Sequence, residues 1–125
     1  MQHLLLAGLG GGLGAAGRYA VGLWLHHPAD HPSFPLGTFA VNALGCLLIG
    51  LALGWGEARE ALTPGMRAFL VAGVLGGFTT FSAFGYDTYA LLRAGHLPIA
   101  GLNVLAQVVV GLLAVAGGFA VGRAL

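Results

Sequence analysis

The chain has 125 residues, 58% of them hydrophobic and 7% charged, with a formal net charge of +1 and a mean hydropathy of +0.89. That balance excludes a soluble globular domain and describes a single-domain integral membrane protein. Its charges are five arginines, no lysine and four acids, too few for a nucleic-acid footprint, and its one cysteine, Cys46, permits neither an intrachain disulfide nor a thiolate metal cluster.

Four apolar segments follow one another, each long enough to cross a bilayer. The first, about Leu4 to Leu25, carries Gly8, Gly10, Gly12, Gly14 and Gly17, small-residue spacings on more than one face that suit a helix surrounded by other helices. It has no basic start and runs past a signal-peptide core, so it is read as a span. Arg18 interrupts it near the far end, where it either snorkels to the headgroups or draws anions toward a vestibule. The connection His26 to Pro35 is punctuated by prolines. Its histidines, His26, His27 and His31, lack a spacing that fixes a metal geometry, and a solvated loop is the better reading.

The second segment, about Leu36 to Trp55, places Thr38, Asn42 and Cys46 at i, i+4 and i+8 on one face. A carboxamide in hydrocarbon is costly unless partnered, so Asn42 either bonds a neighbouring helix or lines a wet path. Trp24 and Trp55 stand near segment ends, where indoles favour the interface. The mixed-charge stretch Gly56 to Gly65 reads as a solvated turn.

The third segment, about Met66 to Leu92, is longer than a straight span needs. In its middle stands Gly76-Gly77-Phe78-Thr79-Thr80-Phe81-Ser82-Ala83-Phe84, a run of weak helix formers that predicts a break near Gly76 to Thr80. Broken membrane helices free carbonyls for cations and N–H groups for anions. Phe81 and Phe84, at i and i+3, share a face beside the hydroxyls of Thr80 and Ser82, and phenyl ring edges are positive. Asp87 reads as a helix-end acid at the interface. The fourth segment, about Pro98 to Val121, carries Asn103 and Gln107 at i and i+4, with Gly111 a turn further on. Two polar stripes and a broken helix, with no ionised group at mid-depth, suggest a path for a small dehydrated ion.

With four spans, Arg59, Arg67 and Arg123 share a side against Arg93 and Arg18. So weak a positive-inside bias allows insertion both ways and an antiparallel dimer.

The break run, together with Gly-Thr-Phe-Ala-Val-Asn-Ala-Leu-Gly-Cys at Gly37 to Cys46 and Gly-Ala-Ala-Gly-Arg-Tyr at Gly14 to Tyr19, resembles the CrcB/Fluc fluoride channels over essentially the whole chain. The resemblance implies an antiparallel, dual-topology homodimer in the bacterial cytoplasmic membrane. Such a dimer exports fluoride passively through two pores around a structural sodium ion at its centre. It further implies that the carbonyls of Gly76 and Thr79 hold the sodium and that the ring edges of Phe81 and Phe84 face fluoride. Asn42 would be the pore asparagine, Thr38 part of the same wall, and Arg18 the first-helix arginine. The fourth helix departs from the family pattern of an aromatic followed by hydroxyls, offering Asn103, Gln107 and Gly111.

Two rivals explain less. A proton-coupled carrier resembling the small multidrug resistance proteins needs an acid deep in the membrane, and the first segment has none. A purely structural membrane protein accounts for the glycines but not for Gly, Thr and Ser concentrated at one mid-membrane position. No span brings together a nucleophile, a base and an orienting acid, which excludes the common hydrolytic sites.

Overall fold

The protein is described by a computed structural model over residues 1–25 and 34–125. Four long apolar elements are present, Gln2–Trp24, Leu36–Arg59, Pro64–Arg93 and Leu97–Ala124, each long enough to span a bilayer, and no strand occurs among the described residues. The first two are the continuous helices α1 (Gln2–Trp24) and α2 (Leu36–Arg59). His26, His27 and His31, with the loop that holds them, lie outside the described residues.

α2 runs a turn beyond the expected end at Trp55, so Glu57 and Arg59 belong to the helix rather than to a solvated turn. The helix stops where Glu60 adopts a left-handed conformation, φ 50°, and Ala61 N–H returns to the Gly56 carbonyl at 3.2 Å. Thr63 then caps the next helix, its hydroxyl accepting from Met66 N–H at 3.3 Å, with Pro64 at the first position.

The third span is composite. An α-turn, Pro64–Met66, leads into a π-helical stretch, Arg67–Leu75, closed by Gly76 N–H on the Val71 carbonyl, and an α-turn, Gly76–Phe78. Together these form α3. Thr79 (φ −77°, ψ 159°) and Thr80 (φ −150°, ψ 113°) are extended, and α4 (Phe81–Arg93) resumes after them. The break is therefore narrower than expected. Gly76 and Gly77 are helical, and the two β-branched threonines, whose preference is for extended backbone, carry the departure. α4 ends on Gly95, φ +80°, where His96 N–H reaches the Leu91 carbonyl at 2.9 Å and Gly95 N–H the Leu92 carbonyl at 3.0 Å. This is the Schellman arrangement that glycine permits. α5 (Leu97–Ala124) follows.

Packing falls into two seams. α1 lies along α3 and α2 along α5, with α4 resting on α5. Side chains of appreciable size contribute little to the interior: Val41, Leu75, Leu91 and Ala100 are its buried apolar residues. Glycines do the work instead. A methyl group at Gly50 or Gly54 would collide with the backbone of Val115 or Phe119, and one at Gly118 or Gly122 with that of Leu47 or Leu51. Gly10, Gly14, Gly73 and Gly77 make the same backbone-to-backbone approach between α1 and α3. In lipid, where apolar transfer drives no association, such close contact is what holds helices together. Large side chains such as Leu9, Leu105 and Leu112 point outward.

Candidate functional site at the helix break

A continuous helix would spend Thr80 N–H on the Gly76 carbonyl and Ala83 N–H on the Thr79 carbonyl. Here both donors are diverted to side chains. Thr80 N–H goes to Asn42 Oδ1 at 2.8 Å, and Ala83 N–H goes to Thr80 Oγ1 at 3.1 Å, capping α4. The carbonyls of Gly76 and Thr79 are thereby released from helical bonding. They are also the two oxygens singled out by the sequence as cation ligands, and unwound carbonyls are the usual donors to a hard monovalent cation inside a membrane. Two oxygens from one chain are few for such an ion. Arg18 Nη1 approaches the Thr79 carbonyl at 3.4 Å, leaving the oxygen's second lone pair.

Asn42 closes the other side of the break. Besides accepting from Thr80 N–H, its Nδ2 donates to the Thr80 carbonyl at 3.1 Å and to Gln107 Oε1 at 3.1 Å. One side chain of α2 thus serves both polar groups of Thr80, as a neighbouring strand would, and ties the break to α5. Thr79 hydroxyl donates to the Leu75 carbonyl at 3.1 Å, and its methyl group fills the space left by Gly45. Thr80 and Ser82 hydroxyls stand 3.2 Å apart.

Two hollows meet at Thr80, which lines both. The outer one, about 800 Å³, is bounded by Arg18, Tyr19, Thr38, Val41 and Asp87. It lies toward the end of the molecule where α1 finishes and α2 begins. Arg18 therefore faces a cavity, which fits the vestibule alternative better than snorkelling. Asp87, read from sequence as an interfacial acid, belongs to this cavity and accepts a hydrogen bond from Thr38 Oγ1 at 2.7 Å. Its place one turn beyond Phe84 on α4 was the signal that could have found it.

The inner hollow, about 360 Å³, is bounded by Asn42, Thr79, Phe81, Phe84 and Gln107, with Cys46 on the wall. Phe81 and Phe84 stack edge to face, centroids 5.4 Å apart at 61°. Phe81 is 83% exposed within the single chain, its ring projecting beyond the four helices. Thr38 and Asn42, expected on one wall, occupy successive levels of α2, Thr38 in the outer hollow and Asn42 in the inner.

Asn103 is set apart from both hollows. It is fully buried, and its Nδ2 donates to Thr88 Oγ1 at 2.9 Å, while Thr88 donates to the Phe84 carbonyl at 2.8 Å. The expected second stripe is real as a helical face, yet Asn103 couples α5 to α4 and only Gln107 reaches the cavity. Gly111 lies against Cys46.

A four-span helical membrane protein, with a mid-membrane helix break flanked by polar hollows, is the class that fold and site define. The comparisons narrow it. The family model described as "CrcB-like protein, Camphor Resistance (CrcB)" matches residues 5–119. Similar curated proteins include one from Rhizobium meliloti, 46% identical over all of this chain and 99% of its own length. One from Methylobacillus flagellatus is 44% identical over 95% of this chain and 93% of its own, and one from Chloroflexus aurantiacus 46% identical over 98% and 97%. All three are called fluoride-specific ion channel FluC. The chain belongs to the CrcB family.

Proposed function

We propose that this protein is a fluoride channel that lets the anion leave the cell passively, moving charge as it goes. The observation that carries this reading is the inner hollow. It places phenyl ring edges, a threonine-capped helix start and carboxamides around one small space at mid-depth, with no ionised side chain on its wall.

Fluoride is small, tightly hydrated and a strong hydrogen-bond acceptor. Stripping its water must be offset by neutral donors close together, because a fixed full positive charge would hold the ion too firmly to release it. Amide N–H, hydroxyl and the positive rim of phenylalanine meet that requirement. Arg18 in the outer hollow raises the local anion concentration before dehydration begins, and the hydrogen bond from Thr38 engages the one carboxylate nearby, that of Asp87. At the start of α4 the helix dipole adds further favourable potential.

The working unit we infer is an antiparallel homodimer. Phe81 projects from the bundle, and the inner hollow opens beside it, so a second copy would complete the wall. The near-even distribution of arginines between the two sides is compatible with insertion in both orientations. A second copy would also double the freed carbonyls of Gly76 and Thr79 to four, a plausible oxygen set for a structural sodium ion. That ion would supply a fixed positive charge at the centre of the assembly.

Purified protein in liposomes loaded with fluoride provides the test, read with a fluoride electrode. Rapid efflux only when a potassium ionophore allows charge compensation is expected. Efflux that ignores charge compensation and follows a proton gradient would replace the channel with a coupled carrier, and no efflux from folded protein would refute the reading.

A further inference from the structure

The hydrogen bonds at the break assign donors and acceptors without ambiguity. A backbone N–H can only donate, so the Asn42 atom receiving Thr80 N–H at 2.8 Å is its oxygen. Asn42 Nδ2 then faces the Thr80 carbonyl and Gln107, each at 3.1 Å, which uses both of its hydrogens. An N–H can meet only an acceptor, so Gln107 must turn its oxygen toward Asn42. Its own Nε2 is left on the other side. That nitrogen is buried and has no hydrogen-bond partner among the described residues, although Gln107 lines the inner hollow with Phe81 and Phe84. A buried amide donor left unpaired is costly, and this one belongs to the wall of a cavity.

We propose that the free amide donor of the inner hollow is Gln107 Nε2, and that Asn42 is a positioning residue, saturated by Thr80 and by the Gln107 oxygen it orients. The ligand is a small, hard, hydrogen-bond-accepting anion, fluoride on the channel reading above, on which the transport arm of the test rests. Gln107 thus replaces on α5 the donor that Asn42 has committed to the helix break.

Gln107→Glu separates this role from bracing. The variant keeps an oxygen to accept from Asn42 and replaces the free N–H2 by a second oxygen, whereas Gln107→Met keeps the length and removes both functions. Fluoride flux through Gln107→Glu is expected to fall on the order of tenfold, the size of one lost hydrogen bond to an anion. It should recover on acidification as the carboxyl gains an O–H. Gln107→Met is expected to stay low at every pH. Undiminished flux in Gln107→Glu across the pH range would overturn the proposal and leave Gln107 as a brace. Side-chain 15N resonances of the wild-type protein in detergent, titrated with sodium fluoride and with sodium chloride, supply the second arm. A fluoride-specific shift at the Gln107 N–H2 larger than at Asn42 is expected; a shift confined to Asn42 would refute the assignment. If that shift appeared in a protein without flux, the anion site would stand and the channel reading would fall.

Discussion

The α2–α5 seam and the break between α3 and α4 solve the same problem in opposite ways. Along the seam, Gly50 and Gly54 meet Gly118 and Gly122 in a dry, regular contact in which the helices approach backbone to backbone and leave no room for a side chain. At the break the backbone is irregular, and polar side chains take over hydrogen bonds that helix geometry has given up. The difference teaches where a membrane protein can place chemistry. Irregular backbone is tolerated in the bilayer only when its polar groups are met by protein or water, and the rigid seam holds Asn42 and Gln107 in register to meet them.

Substitutions along the seam should have the largest effect. Gly118→Leu drives a side chain into the backbone of α2 and is expected to cost about 3 kcal/mol or more. Loss of the monodisperse peak in detergent size-exclusion chromatography would register it. A normal peak with full flux would mean that the seam is far looser than its glycine contacts imply.

Asn42→Ala comes next. It strips both polar groups of Thr80, each worth about 1–3 kcal/mol when buried and unpaired. A lowered thermal midpoint and abolished flux are expected. Asn42→Asp retains an acceptor for Thr80 N–H, so it should fold better than the alanine variant and still conduct poorly, since it places a potential negative charge beside the anion path. Full flux at neutral pH would place the path away from Asn42.

Phe81→Ile and Phe84→Ile bear on the cavity and not on the fold. Flux is expected to drop about tenfold, equivalent to about 1.4 kcal/mol at the barrier, with elution volume unchanged. Undiminished flux in the double replacement would remove ring edges from the mechanism.

The smallest effect is expected at a glycine outside both regions. Gly101 has no heavy atom within 4 Å of an added methyl group inside the chain, so Gly101→Ala should preserve thermal stability or raise it by about 0.5–1 kcal/mol. A clear loss of stability would mark that face of α5 as covered by a second copy.

Much of this was legible in the residues because hydropathy is a local property. Four spans follow from four apolar runs, and an interruption in the third follows from consecutive residues that disfavour a helix. The same local character explains the misplacements. Gly76 and Gly77 read as breakers, yet close approach to α1 keeps them helical, with Gly77 seated on the Gly11 backbone, and the departure passes to Thr79 and Thr80. Nothing in Arg67–Leu75 distinguishes a π-helix from an α-helix, because the two differ in which carbonyl each N–H selects and not in residue preference. Asp87 read as an interfacial acid because its partner, Thr38, lies 49 positions away.

Composition and hydropathy by themselves determined that this is a four-span helical membrane protein, since the cost of burying polar backbone in lipid leaves few alternatives for such a chain. Local propensity determined that the third span would not run straight. Which two residues leave the helix, which carbonyls are released, and which amide keeps a free donor were decided only by tertiary structure. Those outcomes depend on Asn42, Thr80 and Gln107, far apart in sequence, meeting at one point, and a hydrogen bond acquires its direction only when both partners are in place.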